Sequence, residues 1–284
     1  MKKRSTKEIK LQAKKALQGH VGTVLLGLLA VYGLNMLGTI LSTNLFSGTS
    51  PLDLVLSEVF MLVVSLIVGI ISAGFGYMLL NISRGKEFSL GDLGYFFKNQ
   101  PDRVIIAGFV LAVIQIVTAI PYYYVSFTTD PGLTVDSQIK WLSMTLGLLA
   151  ASTLLNFLIS LPFAMTYFLM ADDTELGGLQ ALKESARLMK GNLWRYVKLN
   201  LSFVPLLLLS VFTFYIALFW IMPYMEMSMV AFYRDLDGEL DYRLPGNEGF
   251  GSFHNRTNDS GDGYDTENND GYRNDSEDDY NSEA

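Results

Sequence analysis

The chain has 284 residues, half of them hydrophobic, with a mean hydropathy of +0.28 and a net charge of -7. Apolar runs this long and frequent exclude an ordinary soluble domain, and the lack of cysteine excludes a disulfide framework, thiolate metal sites and cysteine nucleophiles. The charge is divided: residues 235–284 carry fifteen acids against three arginines, net -12, while residues 1–234 carry eighteen basic residues against thirteen acids, net +5.

Residues 1–18 predict a basic amphipathic helix. Ser5 and Glu8 have capping-box spacing; Ile9, Ala13, Ala16 and Leu17 share one face, and Lys7, Lys10, Lys14 and Lys15 fall elsewhere. Such a helix is suited to an anionic leaflet. Residues 21–42 form a first span, too long for a signal-peptide core and without a cleavage motif. Residues 54–80 form a second, with Ser65, Gly69 and Ala73 at four-residue spacing and Ser72 and Gly76 on the next stripe. Small residues so placed let helices approach closely, within one chain or in a homo-oligomer.

Residues 83–103 connect to the third span, with a Ser89–Asp92 capping pair and an apolar face of Leu90, Leu93, Phe96 and Phe97. The third span, 104–125, ends in Tyr122, Tyr123 and Tyr124, suited to the headgroup region. The fourth, 141–170, has room to tilt or to kink at Pro162. Gln115 and Asn156 are amides in these two spans, and pairing across helices is expected. Residues 173–190 predict another amphipathic helix, capped by Asp173 or Thr174, with Leu176, Leu179, Leu182, Ala186 and Met189 inward. Residues 196–233 hold only Lys198 and Glu226 as charges. One helix of that length would far exceed a hydrocarbon core of about 30 Å, so spans at 194–211 and 215–234 with a turn near 212–214 are expected.

The proposed inner segments carry twenty of the 21 basic residues and the outer side only Lys140. This positive-inside bias puts both termini in the cytoplasm and demands an even number of spans. Three times an amphipathic helix precedes a two-span hairpin, and the even spans end alike, in YMLLNISRG, TYFLMADD and MVAFYRDL. Residues 237–284 lack the apolar content to order themselves and are expected to be a disordered acidic tail. An EF-hand at Asp235–Glu239 is rejected, because Leu240 stands where that loop requires glycine.

No phosphate-binding loop, dinucleotide fingerprint, zinc-protease motif or nucleophile elbow occurs, and no cofactor or metal is expected. Asp172-Asp173 with Glu175 resembles half of a magnesium–pyrophosphate site of prenyl-transfer enzymes, but the second acidic motif is missing and a helix cap is the favoured role. Glu226 is an acid inside a span, where such groups relay protons, contact substrates or bond protonated to a neighbour.

Lys190-Gly191-Asn192 followed by Trp194, then Pro223-Tyr224, then Ala231-Phe232-Tyr233-Arg234-Asp235-Leu236, resembles a family of uncharacterised integral membrane proteins of low-GC Gram-positive bacteria, catalogued as a domain of unknown function. The resemblance covers roughly residues 1–236 and implies no particular activity. Physically, Gly191-Asn192 can end a helix through a left-handed residue, Trp194 can anchor at headgroups, Pro223-Tyr224 can bend the last span, and Phe232-Tyr233-Arg234 can close it at the inner surface.

The sequence thus predicts an all-α, six-span bundle over residues 1–236 in a bacterial cytoplasmic membrane. It predicts a non-enzymatic protein working through membrane lipids, or through a protein partner of the acidic tail, with no nucleic acid involved. One alternative is a small-solute or ion transporter or channel, with a polar path near Glu226, Asn156 and Gln115. A second is a lipid-modifying enzyme using Asp172 and Asp173.

Overall fold

The structure is a computed structural model that describes residues 3–47 and 50–242, and all of its regular elements among these residues are helical. The amphipathic helix α1 (Thr6–Leu17) is closed by the reciprocal Ser5–Glu8 box, and left-handed Gly19 turns the chain into α2 (Val21–Leu45). α3 (Pro51–Arg84) ends at left-handed Gly85. A 3-10 turn at Leu90–Gly94, capped by Ser89 and Asp92, leads to the short α4 (Tyr95–Lys98) and then α5 (Pro101–Thr128). α6 (Val135–Ser160) breaks at Pro162, whose ring removes a helical donor, and α7 (Thr166–Asp172) continues beyond. α8 (Gly178–Met189), α9 (Leu193–Leu201), α10 (Val204–Phe212), α11 (Leu218–Leu236) and α12 (Glu239–Tyr242) complete the order.

Among the described residues, five segments are long and apolar enough to cross a membrane: Val21–Leu45, Leu52–Arg84, Pro101–Thr128, Val135–Asp172 and Leu193–Phe212. These mark a membrane protein. The expected sixth span, 215–234, begins instead at Leu218, and α11 falls short in apolarity because Glu226, Arg234 and Asp235 lie within it. The turn before α11 contains neither glycine nor proline, yet Phe214 (φ 50°) and Tyr215 (φ 65°) both enter the left-handed region.

The buried core is concentrated towards one end of the bundle. It gathers α1, the start of α2, the second half of α3, α4, the start of α5, α7, α8, α9 and the end of α11. Elsewhere α2, α5, α6 and α10 present large apolar side chains outward, as contact with hydrocarbon requires. The core changes the role of the amphipathic segments. Ile9, Ala13 and Leu17 of α1 are buried against protein, chiefly α11, and Ala181, Leu182 and Met189 of α8 are likewise buried. Leu90, Phe97 and Leu179, expected on apolar faces, are exposed, while Phe96 is fully buried. Neither Asp173 nor Thr174 caps α8: its N-cap is Gly177, and Asp173 accepts from Glu175 N at 2.8 Å in the preceding turn.

The three amphipathic segments dock in a cyclic order. The 90–94 turn and α4 pack on α3, α8 packs on α7 as well as α5, and α1 packs on α11. Each rests on the helix that closes the preceding sequence unit, and the first rests on the last. Two of these seams have no room for a side chain: a Cβ on Gly74 would lie 2.3 Å from Leu93 O, and one on Gly178 would lie 2.2 Å from Arg103 O. The small-residue stripe of α3 is also used within the chain, with Gly69 facing the Tyr167 hydroxyl and Gly76 facing Phe168.

The expected domain boundary at 237 also shifts. Residues 237–242 form a turn and α12, fixed by ion pairs from Arg4 to Asp241 and from Arg84 to Glu239; the tail expected beyond them, 243–284, lies outside the described residues.

Gly178→Ala should destabilise the purified protein by about 1–3 kcal/mol through overpacking. Gly147→Ala, in α6 with no atom within 4 Å of its added methyl, should leave stability unchanged or raise it by up to about 1 kcal/mol. Thermal midpoints of the two variants in one detergent decide this.

Candidate functional site

The ends of α3, α7 and α11 converge at the core end of the bundle, and their last residues hold one another. The carboxylate of Asp172 is gripped by Arg84 through both oxygens and accepts the Tyr233 hydroxyl at 2.7 Å. Arg234 donates to the carbonyl and hydroxyl oxygens of Ser83, each at 2.6 Å, and to Glu239 at 2.8 Å. Arg84 reaches the other Glu239 oxygen at 2.9 Å, so this one carboxylate of α12 bridges α3 and α11. An arginine in the last turn of a helix also faces the negative end of its dipole, which suits Arg84 and Arg234 to their positions.

A second cluster adjoins it. Asp235, almost fully buried, accepts from Arg195 of α9 at 2.5 Å and from Arg4 at 3.2 Å. Arg4 also bonds Asp241 and the Leu240 carbonyl, each at 2.8 Å, and its own carbonyl accepts from Arg195. Four arginines and four carboxylates thus tie the first helix to the last. Burial alone would raise the Glu239 carboxyl, but hydrogen bonds from Arg84 and Arg234 outweigh it and hold the group below its ordinary value of 4.5. Nearby, buried Arg103 donates to the carbonyls of Asp173 and Leu176 and lies over the Phe96 ring at 5.2 Å.

Farther along the bundle is a cavity of about 390 Å³ between α3, α5, α6, α7 and α9. Its polar lining is Ser65, Gln115, Asn156, Ser160, Tyr167 and Tyr196, set among Leu111, Phe157, Leu161 and Phe163. The expected cross-helix pairing holds for Asn156, which donates to Thr118 Oγ1 at 3.1 Å; Thr118 in turn donates to the Gln115 carbonyl. Glu226 is separate from this lining. It interacts electrostatically with Tyr32 and Tyr196, and Tyr196 also belongs to the cavity lining. Gln115 and Asn156 therefore share a site, and Glu226 does not join them directly.

The motif residues 190–234 have structural tasks. Gly191 is left-handed (φ 78°) and ends α8 after Lys190, and Asn192 accepts from Arg195 at 3.2 Å. Trp194 is exposed, with the Lys198 ammonium over its ring. Pro223 is buried within α11, and the Tyr224 hydroxyl donates to the Lys10 carbonyl at 3.3 Å. Phe232, Tyr233 and Arg234 are buried in protein: Phe232 packs against Tyr196 and Arg195 of α9, and Tyr233 and Arg234 reach the ends of α7 and α3.

A family model described as a protein of unknown function, DUF975, matches residues 1–239. The chain belongs to this family. No curated protein and no solved structure matches it. The DUF975 match stops at Glu239, the carboxylate that bridges Arg84 and Arg234, so the matched region contains both principal arms of the junction.

Arg4, Arg84, Arg103 and Arg195 were not singled out from this DUF975 sequence, nor was Glu58 of α3, which accepts the Tyr123 hydroxyl at 2.7 Å. One signal was visible: the three similar helix endings place Arg84, Asp172 and Arg234 at related positions, two of one charge and one of the other. Asp172 is already neutralised by Arg84, so its charge is committed to protein. Among the described residues, no cluster of three or more potential metal ligands is present.

Arg84→Gln should destabilise more than Asp172→Asn, because Arg84 holds two carboxylates; denaturant titration should give a loss of about 1–3 kcal/mol for the arginine variant. Glu239 stabilises the fold fully above pH 4.5 and loses that contribution as pH falls through its lower native value. The stability gap between the parent and Glu239→Gln should therefore be widest near neutrality and narrow as pH falls below 4.5. A gap that widens on acidification would refute the assignment.

Proposed function

We propose that this chain is a six-span, non-enzymatic protein of a bacterial cytoplasmic membrane. It has both ends of its membrane domain in the cytoplasm and acts through lipid and protein contacts at its inner face. The observation that carries this is the pairing of Arg4 with Asp235 and Asp241. Chain ends bonded to each other lie on one side of a membrane, so the crossings between them are even in number. Five long apolar helices among the described residues, with α11 as a sixth crossing, are consistent with such an even count. The 19 residues of α11 reach roughly 28 Å at 1.5 Å per residue.

Further support comes from α1. Lys7, Lys10 and Lys14 line a shallow groove with Thr6, Leu11 and Tyr224. Lys10 is held by the Ser202 carbonyl at 2.9 Å and lies over the Phe203 ring at 3.7 Å, and burial lowers its pKa below the ordinary lysine value. Such a groove beside apolar helix surface fits anionic phospholipid headgroups.

A second reading, a small-solute or ion transporter, is favoured by the cavity that Gln115 and Asn156 share. It predicts that uptake into vesicles is reduced by Asn156→Leu and by Glu226→Gln.

The cysteine-free chain permits a direct test of the topology. Single cysteines at Asp130 and Lys140 should react with a membrane-impermeant maleimide in intact cells, and those at Lys86 and Lys183 only after lysis. Labelling of Lys86→Cys in intact cells would overturn the proposed orientation. Partners are sought by in-cell crosslinking of the full chain and of a chain ending at Tyr242, a cut that preserves the ion pairs. A protein partner lost with the tail, or anionic lipid co-purifying with both forms and reduced when Lys7, Lys10 and Lys14 become glutamine, is the expected result.

A further inference from the structure

We propose that the cavity between α3, α5, α6, α7 and α9 is a binding site for a lipid with an uncharged, hydroxyl-bearing headgroup, of the diacylglycerol or glycosyldiacylglycerol class. It rests on the reading of the chain as a lipid-contacting membrane protein and specifies a lipid class and a place that the basic groove of α1 does not.

The position comes first. Ser65, Gln115 and Asn156 lie near the middle of three segments long enough to span the hydrocarbon layer, Leu52–Arg84, Pro101–Thr128 and Val135–Asp172. Gln115 and Phe157 on the lining are themselves exposed and lie on apolar spanning segments, so the cavity opens sideways towards the zone that lipid occupies. A ligand entering there comes from the bilayer.

The chemistry follows from the lining. Among the described residues it contains two amides and four hydroxyl groups and no acid, lysine, arginine or histidine. A phosphate or an ammonium ion moved into such a site would lose its hydration with no opposite charge to replace it. A sugar or glycerol hydroxyl both donates and accepts, as do the amides and hydroxyls here. Much of this capacity is not used within the protein. The Gln115 amide and the Ser160 and Tyr167 hydroxyls form no side-chain hydrogen bonds with other described residues, and Asn156 uses only its amide nitrogen. The Tyr167 hydroxyl has space because glycines face it: Cβ atoms added at Gly69 and Gly108 would be 3.3 and 3.7 Å away. The volume of about 390 Å³ falls within the roughly 300–1,000 Å³ common for small-ligand sites. Leu111, Phe157, Leu161 and Phe163 supply apolar walls for the glycerol backbone and the first acyl carbons.

The test uses the full-length protein in phosphatidylglycerol vesicles containing a diazirine-tagged diacylglycerol. After photolysis, crosslinked peptides are mapped by mass spectrometry. The expected result is labelling concentrated on peptides bearing Gln115, Asn156–Ser160 and Tyr167. Untagged diacylglycerol or glucosyl-diacylglycerol should compete, and extra phosphatidylglycerol should not. Gln115→Leu and Tyr167→Phe should each reduce labelling about five- to tenfold, as expected for loss of one or two hydrogen bonds, without changing the thermal midpoint. Glutamine at Lys7, Lys10 and Lys14 should leave it unchanged. Labelling spread evenly over lipid-facing helices, equal competition by phosphatidylglycerol, or full retention in the Gln115→Leu/Tyr167→Phe double variant would overturn the proposal. So would a water-soluble solute, rather than lipid, blocking the labelling. Loss of anionic-lipid binding in the lysine variant with cavity labelling intact would separate the two lipid sites.

Discussion

Charge pairing at the junction of α3, α7 and α11 is the constraint on which the rest of the structure depends. Each of these helices ends in groups that are expensive to remove from water alone. Arg84, Asp172, Arg234 and Asp235 are brought together with Arg4, Arg195 and Glu239 in partly or wholly buried positions. A buried ion that loses its partner is strongly destabilising, whereas one with several well-placed hydrogen bonds is tolerated. The junction thus sets the register of three helices along their axes, because sliding any of them by one turn would leave a charge without its partner. Hydrophobic contact between spans cannot supply that register, since one apolar surface replaces another at little cost in lipid.

The concentration of the protein core around the junction has the same physical origin. Amphipathic α1 and α8 bury their apolar faces against α11, α7 and α5 and so cover the helix ends. Glycines 74 and 178 permit two of these seams to close to backbone contact. Beyond the core the helices separate enough to leave the neutral cavity, with Tyr167 and Tyr196 standing close in sequence to Asp172 and Arg195. The cavity and the junction are therefore built on the same short segments, α7 and the start of α9, and a ligand in one is mechanically close to the other.

Membership of the DUF975 family gives these features a context without giving them an activity. The motif from Lys190 to Arg234 is mostly a set of geometric devices: a left-handed glycine, an exposed tryptophan, a proline inside α11 and a buried Phe-Tyr-Arg run. Tyr233 and Arg234 secure the junction, and Tyr224 secures α1. A motif of this kind marks a shape, and of the polar groups proposed for ligand binding only Tyr196 falls within it; Ser65, Gln115, Asn156, Ser160 and Tyr167 lie outside.

The sequence by itself determined the features that local composition dictates. The apolar run lengths indicated the membrane segments, Ser5–Glu8 and Ser89–Asp92 defined helix starts, and Pro162 marked the break after α6. Its limits appeared at 173–190 and 215–234, where helix ends moved by several residues, and at 237–242, where acidic residues taken for tail became α12. Only the tertiary structure decided these, because Glu239 and Asp241 are ordered by arginines at positions 4, 84 and 234, far from them in the chain or a turn away in space. It also decided that Asn156 and Gln115 share a cavity whose lining does not include Glu226. Hydropathy records how much a residue avoids water but not which neighbour satisfies it. Charged and polar side chains within a membrane protein are placed by their partners, and those partners come from other helices.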